Sequence, residues 1–225
     1  MNALVFGATG LCGSAFLRHA AQSPAISKVY AITRSELPED LKSSKVSSVV
    51  NGESDKWSEL IPEDAEIFMT GLATTRAAAG GLDKQYKIDH DMNIELAKAA
   101  KAKGYKVCVI VSSSGASVDS RLPYFRMKGE IERDILALDF DKTVILRPGV
   151  LLGQRYRNFR GFGANVAEKL GGWVYRGKLQ SLLSYPIYGD EVGKVGVQLA
   201  TDTSKKDKVQ IIGAKELLEL SQDKK

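Results

Sequence analysis

The sequence predicts a doubly wound α/β fold: a parallel β-sheet with helices on both faces and a small elaboration towards its C-terminal end. Three observations predict it. Short apolar runs alternate with helix-like segments along the chain. Several runs are almost continuous in Val, Ile and Leu, as in strands buried on both faces. The first run leads directly into a glycine-rich loop and then a helix, which is the order that a phosphate-binding βαβ unit needs.

The first half of the chain holds four predicted strands, at residues 3–6, 28–34, 46–50 and 66–70. A helix over residues 14–21 follows the first strand, and Pro24 closes it because proline cannot continue a helix. Residues 76–84 are rich in alanine and glycine. We predict that they form a mobile loop near the bound ligand.

The second half continues the alternation. Ile88, Met92 and Leu96 share one face of a predicted long helix over residues 86–103, which Gly104 ends. The remaining strands are predicted at residues 106–111, 143–147 and 209–212, and the remaining helices at residues 124–138, 190–200 and 215–220.

The length and composition are those of one globular domain. The 225 residues are 44% hydrophobic and 26% charged, which is enough to bury a full core. We assign residues 1–225 to a single domain, with residues 151–190 as a loop-rich segment on the substrate side. Neither a metal site nor nucleic-acid binding is expected, because the two histidines lie far apart and no recognised nucleic-acid module occurs.

The loop after the first strand has glycines at every third position: Gly7, Gly10 and Gly13. Glycines let the backbone turn sharply and approach a pyrophosphate, while the helix that follows offers unpaired N–H groups. We therefore predict that this loop binds a dinucleotide. A glycine-rich turn without a ligand is the alternative.

The end of the second strand bears on the choice of dinucleotide. A carboxylate there would bind the ribose 2′-hydroxyl of NAD, but the sequence has Arg34 and Ser35 instead. A guanidinium can pair with a 2′-phosphate. The sequence thus favours NADP(H), and the alternative is that Arg34 is an ordinary surface arginine.

A third group of residues could transfer a proton. Tyr124 and Lys128 are four residues apart, so on a helix they share one face. A nearby ammonium stabilises a phenolate, which lets a tyrosine hydroxyl act as an acid or base. One serine of the run at residues 112–114, which ends a buried strand, would hold the substrate oxygen. An ordinary amphipathic helix start is the alternative.

These motifs together resemble the extended or atypical branch of the short-chain dehydrogenase/reductases. The resemblance rests on GATG at residues 7–10, SSSGA at residues 112–116, the Tyr–Lys pair and RPG at residues 147–149. The segments LATTR at residues 72–76, MKGEIE at residues 127–132 and LRPGVLLG at residues 146–153 resemble more narrowly the Tat-interacting-protein branch and its fungal members.

The resemblance implies a Rossmann fold, bound NADP(H) and a peripheral location on the cytosolic face of the mitochondrial outer membrane. The serine motif of the family selects Ser113 as the catalytic serine, with Ser114 in reserve. By position, the residues implied to contact the cofactor are Thr9, Gly10, Leu11, Cys12, Arg34, Leu72, Ala73, Tyr124, Lys128 and Leu151.

Two functions stay open at this point. The first is an NADPH-dependent oxidoreductase that acts on a small carbonyl compound. The second is a catalytically weak, cofactor-binding regulator or scaffold at an anionic membrane surface. The second is suggested by regulatory members of the branch and by residues 155–178, which hold six basic residues against one acid. The ordinary interpretation of that segment is a solvated surface.

Overall fold

The structure, a computed structural model, describes residues 1–153, 175–177, 180–204 and 207–222. Its main feature is a seven-stranded sheet in which every neighbouring pair is parallel, in the order β3-β2-β1-β4-β5-β6-β9. The strands are β1 Asn2–Phe6, β2 Lys28–Thr33, β3 Val46–Val50, β4 Ile67–Thr70, β5 Val107–Val111, β6 Lys142–Leu146 and β9 Val209–Ile212.

Helices cover both faces of this sheet. They are α1 Leu11–Gln22, α2 Arg76–Ala79, α3 Leu82–Tyr86, α4 Met92–Ala102, α5 Pro123–Ala137, α6 Gly189–Thr201 and α7 Ala214–Leu220. Strand side chains alternate between two hydrophobic cores. Val5 packs on one face with Phe16 of α1 and Val192 of α6, and Phe6 packs on the other with Leu96 of α4. The predicted doubly wound fold is therefore confirmed.

The strand order reverses beside β1. From β1 the chain first builds outward through β2 and β3, and it then returns to add β4 on the other side of β1. At such a reversal the loops after the two strands diverge and leave a crevice at the carboxyl ends of the strands, where open α/β sheets bind ligands. The fold thus places the loops after Phe6 and Thr70 at the edges of one crevice.

The prediction of a mobile loop over residues 76–84 is wrong. Those residues form α2 and the start of α3. The Oγ1 of Thr75 accepts a hydrogen bond from the Ala78 N–H at 3.1 Å and caps α2, and Gly80 ends α2 with a φ of +77°. The predicted helix over residues 86–103 is also longer at its start, because α3 continues through a π-helical turn at Lys87–Asp91 into α4.

A second, two-stranded parallel sheet joins β7 Leu151–Leu152 to β8 Ile187–Tyr188. The Glu191 carboxylate in the first turn of α6 fixes this region. It accepts hydrogen bonds from Tyr175 Oη at 2.8 Å, from Tyr188 N at 3.0 Å and from Ser221 Oγ at 3.0 Å. Apart from residues 175–177, the predicted basic segment at residues 155–178 lies outside the described residues.

Candidate functional site

The loop between β1 and α1 packs too closely for side chains. Gly7 has a φ of +73°, and a Cβ added to it would lie 2.8 Å from the carbonyl carbon of Gly71. A Cβ added to Gly13 would lie 2.0 Å from the Gly7 carbonyl oxygen. No side chain caps α1 at its N-terminal residue Gly10. The glycines therefore hold the loop against the end of β4 and leave the first N–H groups of α1 without a side-chain cap.

A cleft of about 700 Å³ lies at this loop and at the end of β4, a volume typical of small-molecule sites. Most of the predicted site residues line it, namely Gly7, Thr9, Gly10, Leu11, Cys12, Arg34, Leu72, Ala73, Tyr124, Lys128 and Leu151. Gly13, Ser35 and Ser113 are not in the lining. Gly13 packs against Gly7 from inside α1, and Ser113 Oγ donates to the Ser114 carbonyl at 3.3 Å.

Arg34 lies at the carboxyl end of β2 and is exposed at the wall of the cleft. Within the described part of the chain, its guanidinium has no carboxylate within ion-pair distance. The preceding residue, Thr33, turns its Oγ1 towards the Ser35 carbonyl at 2.8 Å. Arg34 is thus a cation at the cleft whose charge is available to an anionic ligand.

Tyr124 and Lys128 lie one turn apart on α5, which begins at Pro123. Tyr124 is 41% exposed, whereas Lys128 is only 4% exposed. The Lys128 ammonium donates a hydrogen bond of 3.4 Å to the Val111 carbonyl at the end of β5. Both residues line the cleft, with the phenol exposed and the ammonium held at the end of β5.

Asp89, on the π-helical turn, is a buried carboxylate in the cleft lining that sequence reasoning missed. Its Oδ1 accepts the Thr74 N–H at 2.6 Å, and its Oδ2 has no hydrogen-bond partner among the described residues. Burial raises the pKa of the Asp89 carboxyl, and the Lys128 ammonium and the Thr74 N–H partly offset that shift. Asp89 thus places a buried carboxyl group within electrostatic reach of Lys128.

Asn93 on α4 fixes the loop after β4. Its Oδ1 accepts from Thr70 Oγ1 at 2.6 Å, and its Nδ2 donates to the carbonyls of Leu72 at 3.0 Å and Asp89 at 2.8 Å. A buried side chain with three such bonds holds the backbone it touches in one place. Asn93 therefore positions the wall of the cleft that Leu72 forms.

Of the serine run at residues 112–114, Ser112 and not Ser113 lines the cleft. It is buried, and its Oγ donates to Oε1 of Glu132, a residue only 4% exposed on α5. Arg147 binds both carboxylate oxygens of Glu132, with its Nε 2.9 Å from Oε1. That hydrogen bond with Glu132 raises the pKa of Arg147. Ser112 is thus joined to an ion pair in which Glu132 is buried and Arg147 is partly exposed.

The arrangement brings together the parts needed to bind a phosphorylated ligand and to move a proton. A glycine loop, a helix start and a cation line the cleft, together with a phenol and an ammonium one helical turn apart on α5. Sequence periodicity could have found Gln85, Asp89 and Met92, because they recur at helical spacing and all line the cleft.

Comparison with known proteins gives close relatives in yeasts. A family model described as HIM1 matches residues 63–169. The chain is 66% identical over 224 residues to "Protein FMP52, mitochondrial" of Kluyveromyces lactis, covering 100% of each chain. It is 58% identical to the protein of that name from Saccharomyces cerevisiae, over 98% of this chain and 96% of that one. Both relatives carry the designation mitochondrial.

Solved structures share the fold at low sequence identity. A UDP-glucuronic acid 4-epimerase of Bacillus cereus, in complex with NAD, matches with a TM-score of 0.69 and 18% identity, over 97% of this chain and 80% of that chain. A short chain dehydrogenase family protein of Francisella tularensis matches with a TM-score of 0.65 and 13% identity, over 96% of this chain and 98% of that chain.

In the described ranges, none of the helices has the length and apolar character needed to cross a bilayer.

The near-complete coverage and high identity of the yeast relatives, together with the fold of the solved neighbours, confirm the resemblance seen in the sequence motifs. The chain belongs to the fungal FMP52 family and has the Rossmann fold of the extended short-chain dehydrogenase/reductases.

Proposed function

We propose that the protein binds NADP(H) and reduces a small carbonyl compound. The observation that carries this proposal is the single cleft, which holds the glycine loop, the cation of Arg34 and the pair formed by Tyr124 and Lys128. Gly7 provides a tight turn and Gly13 allows close packing of the helix on the loop, which a pyrophosphate-binding loop needs. The cleft residues therefore fit a dinucleotide.

We assign one role to each part of the cleft. A bound nicotinamide cofactor supplies a hydride. The start of α1, which has no side-chain cap at Gly10, binds the pyrophosphate through backbone N–H groups, and Arg34 binds the 2′-phosphate. Tyr124 donates the proton from its Oη to the substrate oxygen, and Lys128 stabilises the phenolate that remains. The role of Ser113 as the catalytic serine stays a prediction from the family motif.

The choice of NADP(H) over NAD(H) depends on Arg34. The solved neighbours with NAD bound, such as the Bacillus cereus epimerase, share only the fold, so they do not decide the cofactor of this chain. Among the described residues Arg34 has no acidic partner, which favours a 2′-phosphate, because the charge-assisted hydrogen bonds form without breaking an ion pair seen there.

The test of cofactor choice is Arg34→Ala, with nicotinamide fluorescence as the readout. Losing hydrogen bonds to a charged group costs about 1.5–3 kcal/mol, or about 10- to 150-fold in Kd for NADPH. The Kd for NADH should stay within about threefold, since NADH has no 2′-phosphate. Arg121→Ala, an exposed arginine outside the cleft lining, is the matched control. An equal loss for both cofactors would refute the role of Arg34.

The test of the chemistry is Tyr124→Phe, followed by NADPH consumption over a panel of small aldehydes and ketones. Removing a general acid lowers turnover by about 10²- to 10⁴-fold, while NADPH affinity should barely change. Tyr30→Phe is the control, because Tyr30 donates to Asp64 and is not in the cleft lining. Normal turnover by Tyr124→Phe would show the mechanism to be wrong.

We propose further that the protein is a peripheral protein on the cytosolic face of the mitochondrial outer membrane. The designation of the yeast relatives supports the organelle, and the net charge of +5 supports attraction to anionic lipid. Co-sedimentation with anionic vesicles at low and high salt tests the contact, and protease treatment of intact mitochondria tests the face. Salt-insensitive or absent binding would contradict the electrostatic contact.

A further inference from the structure

The hydroxyl of Ser112 has already used its one proton. A serine hydroxyl has one donor and two acceptor lone pairs, and a carboxylate only accepts. In the hydrogen bond between Ser112 Oγ and Glu132 Oε1, Ser112 must therefore be the donor. The Ser112 N–H is also occupied, since it donates to the Leu146 carbonyl at 2.7 Å. Ser112 consequently has no hydrogen to offer to a ligand in the cleft.

The orientation of the Ser112 hydroxyl is fixed by Glu132 and Arg147. Glu132 is buried and its two oxygens are held by the partly exposed Arg147 guanidinium, so the carboxylate cannot turn away from Ser112 without breaking both hydrogen bonds to Arg147. Across the described residues, no other group hydrogen-bonds to the Ser112 Oγ. The lone pairs that Ser112 retains make it a hydrogen-bond acceptor in the cleft.

An acceptor and a proton donor that line the same cleft select a particular kind of substrate. Tyr124 gives a proton to a carbonyl oxygen. Ser112 has no proton to give, so its lone pairs would repel that oxygen. A hydroxyl on the neighbouring carbon would satisfy Ser112, because it can donate while the carbonyl accepts. A plain ketone or an ether at that position would leave a buried acceptor without a partner, which is costly.

We propose that the substrates are α-hydroxy carbonyl compounds, with the carbonyl oxygen at Tyr124 and the adjacent hydroxyl donating to Ser112. This inference rests on the proposed carbonyl reduction. In the step, the carbonyl carbon gains the hydride of the reduced nicotinamide and its π bond to oxygen breaks. The oxygen takes the Tyr124 proton, and the product is a vicinal diol with an oxidised nicotinamide left behind.

Three small ketones test the proposal on the full chain with NADPH. Hydroxyacetone carries the donor, methoxyacetone has a similar electron-withdrawing oxygen without a donor, and 2-butanone has nearly the size of hydroxyacetone without the oxygen. We expect kcat/KM for hydroxyacetone to exceed both others by at least about tenfold, because sites built for a hydrogen bond reject analogues that lack it. Calorimetric Kd values on the protein–NADP⁺ complex should follow the same order.

Ser112→Ala assigns the preference to its residue. The ratio of kcat/KM for hydroxyacetone to kcat/KM for methoxyacetone should fall to within about twofold of one, since the alanine side chain offers no acceptor. Ser58→Ala, whose hydroxyl donates to Glu95 at 3.2 Å and is not in the cleft lining, should keep the ratio. A wild-type ratio near one overturns the proposal without any variant, as does a ratio retained in a folded Ser112→Ala protein. If NADPH binds but no carbonyl in a wide panel consumes it, the proposed function fails and this inference fails with it.

Discussion

Gly13→Ala tests the close packing on which the cleft depends. The added methyl would lie 2.0 Å from the Gly7 carbonyl oxygen and 2.5 Å from the Gly7 carbonyl carbon. An ordinary carbon–oxygen contact is about 3.3 Å, so the loop or the helix must move by roughly 1.3 Å. Gly71 limits this movement because it packs closely against both partners. A Cβ added to Gly71 would lie 2.7 Å from the Gly13 nitrogen, and one added to Gly7 would lie 2.8 Å from the Gly71 carbonyl carbon.

The expected loss of stability follows from two opposing effects. Alanine inside a helix is favoured over glycine by about 1 kcal/mol. Overpacking a buried contact costs about 1–3 kcal/mol or more, and here the clash is with backbone, which cannot change rotamer. We expect a net loss near 2 kcal/mol, which for a domain of this size lowers Tm by about 4–8 °C. NADPH affinity should fall in parallel, because the displaced loop is the one that binds the pyrophosphate.

Thermal unfolding and NADPH titration measure the two effects. Gly52→Ala is the matched control, since a Cβ there would meet nothing within 4 Å, and it should change neither quantity. A Gly13→Ala protein that melts with the Gly52→Ala control and binds NADPH equally well would refute the account of the glycine loop.

Three further predictions concern the core and the C-terminal region. Phe68→Ala should lower the unfolding free energy by about 3–5 kcal/mol in denaturant titrations, because the ring is fully buried. Gly193→Ala should destabilise the contact between α1 and α6 by about 1–3 kcal/mol, since its methyl would lie 2.3 Å from the Ala15 Cβ; a rise in Tm would contradict this. Burial opposes the charge of Glu191, but hydrogen bonds, from Arg176 foremost, outweigh it and lower the pKa of the carboxyl. The contribution of Glu191 to the unfolding free energy is therefore present above the ordinary pKa of 4.5 and is lost as pH falls through the lower folded pKa. The difference in unfolding free energy between wild type and Glu191→Gln should shrink below pH 4.5. A difference independent of pH would contradict the assignment.

The sheet was predictable because its strands are apolar runs with clear ends. The third and last strands were predicted at the residues that β3 and β9 occupy, Val46–Val50 and Val209–Ile212. The short strands β7 and β8 were not predicted, because two residues carry no periodicity and their pairing depends on chain far apart in sequence. The assignment of the whole chain to one domain stays a prediction.

The candidate site was predictable where backbone chemistry dictates it. Glycine spacing and the Tyr–Lys spacing follow from local geometry, and both lead to the cleft. The serine run at residues 112–114 was ambiguous, because consecutive residues after a strand point in different directions and only packing decides which one reaches the cleft. Asp89 recurs at helical spacing with Gln85 and Met92, but its burial was not predictable, because burial depends on packing that the spacing does not show.

The bonding around Glu191 joins two distant parts of the molecule. Its carboxylate holds Ser221, just after α7, and also the Tyr188 N–H at the end of β8. Strand β8 in turn pairs with Leu151, which lines the cleft. Ser221 is therefore linked to the cleft through Glu191 and β8. We expect a dye or fusion partner attached just after α7 to disturb the cleft through these contacts.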